Sequence, residues 1–185
     1  MTKIKKLLIV VDMQKDFVDG ALGFPDAKEI IPRIKTKIVE YLDNNHDVVF
    51  TRDTHFQSLY PTTREGRHLP VTHCFINTEG WEIVDELKDN TLPHIDKISF
   101  GLNTDDINDL SGSKSLDKYE SIEIVGLVTN LCVLSVAISI QSNTKFAEII
   151  VDASCCKSFD PTLHEKALDV MEGLQMKVIN RGEFK

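Results

Sequence analysis

The chain has 185 residues, 42% of them hydrophobic and 27% charged, with a formal net charge of −8; this is the balance of a globular chain long enough to bury a substantial core in one domain. The acidic excess gives no general attraction to nucleic acid or to an anionic membrane, and no basic stripe or interleaved aromatics argue otherwise. No stretch approaches the roughly 18 apolar residues of a membrane span, and four cysteines without a secretory segment point to reduced thiols in the cytoplasm.

After a polar start at residues 1–6, a short apolar run at 7–11 ends at Asp12 and predicts the first strand. Ile30, Ile31, Ile34, Ile38, Tyr41 and Leu42 recur at helical spacing, and a second apolar run follows at 47–51. Residues 55–80 have few apolar positions, scatter Pro61, Gly66 and Pro70, and hold three histidines. Long connections of this kind inside compact domains usually carry function, so an active-site loop is expected there. Ile83, Val84 and Leu87 predict a helix, residues 95–98 a weaker strand, and residues 111–118 a polar surface connection.

A buried strand at 121–127 then turns into a helix from about 131 to 141, carried by Leu131, Leu134 and Ile138. A run at 148–151, a helix bearing Leu163, Ala167, Val170 and Met171, and a last run at 177–179 complete the chain. Continuous apolar runs bounded by polar residues are strands covered on both faces. Alternating with helices, they predict a three-layer α/β/α fold with a mainly parallel sheet of about six strands, as one domain over residues 1–185.

In open parallel sheets, ligands gather outside the carboxyl ends of the strands. Asp12 follows the first strand, Asp53 and His55 the second, Lys97 lies in the weaker middle strand, and Cys132 follows the strand at 121–127. At the first turn of a helix, Cys132 would face unpaired N–H groups that lower a thiol pKa. Each residue also has a plain structural reading: a turn cap for Asp12, a solvated side chain for Lys97, a small buried hydrophobe for Cys132. Asp53 and His55, two apart on one side of an extended chain, suit either a metal or loop hydrogen bonds. Cys155 and Cys156 follow the strand at 148–152 and read as structural, and Cys74 has no spacing that requires a role.

The stretch Val10-Val11-Asp12-Met13-Gln14-Lys15-Asp16-Phe17, with Gly20-Ala21-Leu22 behind it, resembles the opening of the isochorismatase-like cysteine hydrolases. Val125-Gly126-Leu127-Val128-Thr129-Asn130-Leu131-Cys132-Val133 is similar to their nucleophile segment, and Asp96-Lys97-Ile98-Ser99-Phe100 to the segment of their lysine. The resemblance implies a triad of Asp12, Lys97 and Cys132, and an oxyanion hole from the backbone N–H groups of Val128 and Cys132 aligned by a cis Leu127–Val128 peptide. Asn130 departs from the pattern, where aspartate is usual.

Glu65 and the segment Leu69-Pro70-Val71-Thr72-His73-Cys74 further resemble the metal loop of the nicotinamidase branch of that superfamily. That resemblance implies one divalent metal ion on Asp53, His55, Glu65 and His73, with His68 an alternative to Glu65 or His73. Oxygen and imidazole donors together suit zinc, iron or manganese. It also implies hydrolysis of nicotinamide to nicotinate and ammonia in NAD salvage, walls from Phe17, Leu22 and Trp81, and a homo-oligomer. For Trp81, ordinary core packing is the competing reading. Three other activities stay open: a metal-free relative acting on a linear amide or ureide, a vinyl-ether-cleaving isochorismatase, against which Cys132 argues, and a catalytically silent metabolite-binding relative.

Overall fold

The computed structural model describes residues 5–112 and 115–182. Six strands, β1 (Lys5–Val11), β2 (Asp47–Asp53), β3 (His94–Lys97), β4 (Tyr119–Leu127), β5 (Glu148–Lys157) and β6 (Lys177–Ile179), form one sheet in the order β3-β2-β1-β4-β5-β6. Every pairing is parallel, which is why the strands read as unbroken apolar runs. Leu7, Ile9 and Val11 of β1 enter one core and Leu8 and Val10 the other.

The helices are α1 (Lys15–Val18), α2 (Ile31–Asp43), α3 (Arg64–His68), α4 (Thr104–Ser111), α5 (Leu134–Ser142) and α6 (Pro161–Gly173). Ile31, Ile34, Ile38 and Tyr41 of α2 pack on one face of the sheet. Ile107 of α4, Val136, Ala137 and Ile140 of α5, and Ala167, Leu168 and Met171 of α6 pack on the other. The result is the three-layer α/β architecture expected from the alternation of strands and helices. No helix among the described residues is long and apolar enough to cross a membrane.

Strands β2 and β3 extend the sheet to one side of β1, while β4, β5 and β6 extend it to the other. The order therefore reverses between β1 and β4, and a crevice opens beyond their carboxyl ends. Gly126 makes their close approach feasible there. It has φ +118°, and a Cβ on it would lie 2.1 Å from the Val11 carbonyl oxygen. Beside it the β4–β5 register slips, from Ile124 opposite Val151 to Gly126 opposite Cys156.

Two elements differ from the sequence reading. Ile83, Val84 and Leu87 do not form a helix: Val84 N–H donates to Met13 O (3.0 Å), Lys15 N–H donates to Glu82 O (2.9 Å), and Ile83 bridges Gln14 in antiparallel fashion. Their side chains are still core residues, but three apolar positions are too few to nucleate a turn against that pairing. Helix α4 was signalled only by its ends: Asn103 and Asp106 form a reciprocal capping box, and Gly112 closes it at φ +59°. The loop at 55–80 contains the 3₁₀ turn Tyr60–Thr62, α3 and the 3₁₀ turn Glu79–Trp81. The polar start at residues 1–6 lies largely outside the described residues, as does part of the connection at 111–118; of the latter, Leu116–Lys118 is a 3₁₀ turn.

Gly126→Ala is expected to destabilise the protein by about 1–3 kcal/mol or more, because backbone must move to admit the methyl group. Gly173→Ala, at a helical position with nothing within 4 Å of the added carbon, should be neutral or stabilising by up to ~1 kcal/mol. Urea titration of both variants beside the wild type measures the contrast.

Candidate active site

The crevice is built from strand ends. Asp12, just past β1, has φ 48°, a left-handed conformation that aspartate tolerates better than most residues. Thr51 Oγ1 donates to its Oδ1 (2.6 Å), and its own N–H donates to Thr51 O (3.2 Å). Lys97, the last residue of β3, is 0% exposed. Its Nζ lies 2.7 Å from Asp12 Oδ2 and 3.7 Å from Asp53 Oδ1. The same nitrogen donates to Ser99 O (3.1 Å) and to Cys132 Sγ (3.6 Å).

Cys132 is 4% exposed and sits in a π-helical turn, Thr129–Val133, between a cis Leu127–Val128 peptide and α5. The structure thus brings Asp12, Lys97 and Cys132 together from β1, β3 and the turn after β4. One expectation is corrected: the thiol is not at the first turn of an α-helix, and it is not lowered. Burial pushes the Cys132 thiol well above its ordinary value, Lys97 opposes that, and the carboxylates of Asp12 and Asp53 add to the rise. Burial also raises Asp12, against the pull of Lys97. For Lys97, burial would favour the neutral amine, but Asp12, Cys132 and Asp53 outweigh it and hold the ammonium.

Beside this group, one donor atom from each of Asp53, His55, Glu65 and His73 lies within 4.8 Å of the others. Asp53 ends β2, His55 follows two residues on, Glu65 is in the first turn of α3, and His73 lies on the segment after it. Gln14 fixes the start of this array: its Oε1 accepts from Asp53 N–H (2.7 Å) and its Nε2 donates to Asp53 O (2.9 Å) and Trp81 O (2.9 Å). On His73, Nδ1 is 2.8 Å from Val71 O, which turns Nε2 inward.

These four residues fit a divalent ion. Buried Asp53 Oδ1 and His55 Nε2 have only ion-pair contacts, 3.7 Å to Lys97 Nζ and 2.9 Å to Asp53 Oδ2, without hydrogen-bond geometry among the described residues, and two carboxylates with two imidazoles are a common donor set for such ions. Without a cation the charges compensate one another. Burial would lower His55, but Asp53 and Glu65 raise it to about 9. Burial would raise Glu65, but His55 and His73 bring it down to about 2. His68 is exposed, with Nδ1 2.8 Å from Arg64 O, and lines an adjoining cleft of about 430 Å³.

Cys132, Val128, Asp53, Glu65 and His73 all face one cavity of about 330 Å³. Its walls are Phe17, Leu22, Phe24, Leu69, Phe100, Leu131 and Phe159, with no lysine or arginine among the lining residues. Phe17 and Leu22 stand where the sequence reading put them. Trp81 does not: it is buried in the core, its Nε1 donates to Thr54 Oγ1 (2.9 Å), and the Arg52 guanidinium lies 3.7 Å above its ring. Phe24, Phe100 and Phe159 escaped the sequence reading because they lie outside regular helices and strands, where no periodicity marks them. Gln14, buried like Asp12 two residues before it, could have been found as an uncharged polar residue directly behind the first strand's acid.

A thiol, an ammonium and a carboxylate converging at the reversal point of a parallel sheet define the class as an α/β enzyme. The isochorismatase domain model matches residues 6–183. The chain is 28% identical over 216 aligned positions to a nicotinamidase of Saccharomyces cerevisiae, covering 95% of this chain and 100% of that one. Among solved structures it resembles the zinc-complexed pyrazinamidase of Pyrococcus horikoshii, with 30% identity, TM-score 0.80, and coverage of 95% of this chain and 98% of that one. It also resembles a nicotinamidase/pyrazinamidase of Bacillus subtilis, with 26% identity, TM-score 0.79, and coverage of 95% and 99%. The chain belongs to the isochorismatase domain family.

Metal analysis checks the cluster. The purified protein should carry about one divalent ion per chain, His73→Ala and Asp53→Ala should lower its affinity by at least ~10-fold, and His68→Ala should leave it unchanged.

Proposed function

We propose that this protein is a metal-dependent cysteine amidohydrolase that converts nicotinamide to nicotinate and ammonia. The observation that carries the reading is that Cys132 and three members of the Asp53–His55–Glu65–His73 cluster, Asp53, Glu65 and His73, open on one apolar cavity. A divalent ion on those four residues, with zinc the first expectation, would anchor the ring nitrogen of a flat aromatic amide. Phe17, Leu22 and Phe100 would supply walls for the ring, with Cys132 on the same cavity. A metal-free relative acting on a linear amide or ureide would have no use for the Asp53–His55–Glu65–His73 cluster.

In this mechanism Asp12 removes the Cys132 proton as sulfur attacks the carbonyl carbon, and Lys97 stabilises the forming thiolate. The raised thiol favours this concerted transfer over a standing thiolate. The backbone N–H groups of Val128 and Cys132 take the charge that develops on the carbonyl oxygen. As the C–N bond breaks, Asp12 returns the proton to the leaving nitrogen and ammonia departs, leaving an acyl thioester on Cys132. Asp12 next takes a proton from water, hydroxide adds to the thioester, and nicotinate leaves as the thiol is reprotonated.

The same reading makes the protein one domain per chain, acting in the cytoplasm as a homo-oligomer in NAD salvage, with the family resemblance as its support.

Ammonia release from nicotinamide tests the reading. Cys132→Ala should lose at least ~1000-fold in kcat/KM. Full turnover by that variant would point to attack by a metal-bound water, and metal-free wild type active on linear amides alone would reject the nicotinamidase assignment.

A further inference from the structure

The turn that carries Cys132 has two polar ties to the loop and helix that follow β5. Thr129 is completely buried, and its Oγ1 lies 2.8 Å from His164 Nδ1, one turn into α6. Asn130, the residue that departs from the family pattern, accepts from Ser158 Oγ at 2.6 Å. Ser158 is itself buried, and its Oγ accepts from Asp160 N–H (3.2 Å). Asp160 in turn caps α6, accepting from Thr162 N–H (2.8 Å) and Leu163 N–H (3.1 Å). Consecutive residues of the nucleophile turn are therefore held by two side chains that both belong to the entry of α6.

The turn needs such holding. A π-helical turn closes wider hydrogen-bonded rings than an α-helix and is a local irregularity that recurs at functional sites. Here Val133 N–H reaches Val128 O at 3.3 Å, while Leu131 N–H takes the same acceptor at 3.0 Å. The reacting sulfur must keep its place against Lys97 and Asp12, and errors of about 1 Å in such placements cost about 100-fold in rate.

We infer that Ser158 and His164 are positioning residues for the nucleophile, fixing the Thr129–Val133 turn through Asn130 and Thr129 so that Cys132 faces Lys97. Neither side chain lines the cavity that holds the thiol, so their effect should fall on kcat and leave KM alone. This inference rests on the reading of Cys132 as nucleophile, and asparagine at position 130 keeps the acceptor that an aspartate would provide.

The test combines nicotinamide kinetics with the rate at which iodoacetamide labels Cys132, located by peptide mass spectrometry. Ser158→Ala and His164→Ala should each lower kcat by about 10- to 100-fold with KM within about twofold, and should change the Cys132 labelling rate. Asparagine places an amide nitrogen where histidine has Nδ1, whereas glutamine places one nearer Nε2. His164→Asn and Ser158→Thr should therefore recover most of kcat, and His164→Gln should not, at matched thermal stability. Equal kcat in all three His164 variants, or wild-type kcat and labelling in both alanine variants, would overturn the inference. Turnover that survives Cys132→Ala would instead reject the underlying mechanism, and the labelling rates would still report whether the turn had moved.

Discussion

The buried ammonium of Lys97 is the interaction on which the rest of the site depends. Removing such an ion from water costs several kcal/mol unless good partners surround it, and here the partners come from separate places: Asp12 after β1, Asp53 at the end of β2, and Cys132 after β4. One charge thereby draws together the ends of strands that the sheet order sets side by side. Asp53 extends the coupling, since its Oδ1 faces Lys97 and its Oδ2 lies 2.9 Å from His55 Nε2. The thiol and the metal-type cluster are thus two halves of one charge array. Asp12, Asp53 and Glu65 bring three carboxylates to it against Lys97 and a protonated His55, and a divalent cation would take over the imidazole's share of that compensation.

Burial sets the chemistry as well as the packing. The low-dielectric surroundings that strengthen the Lys97–Asp12 attraction also push the Cys132 thiol up, against the pull of Lys97, beside a carboxylate that could take its proton. In the proposed mechanism, that arrangement would couple proton transfer to nucleophilic attack. In the same mechanism, the phenylalanines and leucines of the walls would exclude water from the reacting atoms.

Much of this was legible in the sequence. The apolar runs at 7–11, 47–51 and 95–98 gave the strands, and Asp12 after the first, Asp53 just beyond the second and Lys97 within the third gave the rim on which the polar residues meet. Short-range patterns were less informative. Ile83, Val84 and Leu87 carry helical spacing yet are held by pairing to Met13 and Lys15, a long-range contact that periodicity cannot express. Trp81 was ambiguous because an indole serves a cavity wall or a core equally well; its bond to Thr54 and the Arg52 stack decide for the core. Phe24, Phe100 and Phe159 reach the cavity from connecting segments, and only the folded chain shows them converging. The cost of burying the thiol was equally hidden, since a helix-end argument weighs the dipole and not the desolvation.

The measurement that bears most directly on the central claim is the alkylation of Cys132 at neutral pH in Lys97→Met, with circular dichroism confirming the fold. If the Lys97 charge is what draws sulfur and carboxylate into one reactive pair, labelling should slow by at least ~10-fold, in line with a loss of more than about 1.4 kcal/mol of charge stabilisation, and ammonia release should collapse with it. Labelling and turnover at wild-type rates in a folded Lys97→Met protein would contradict the account.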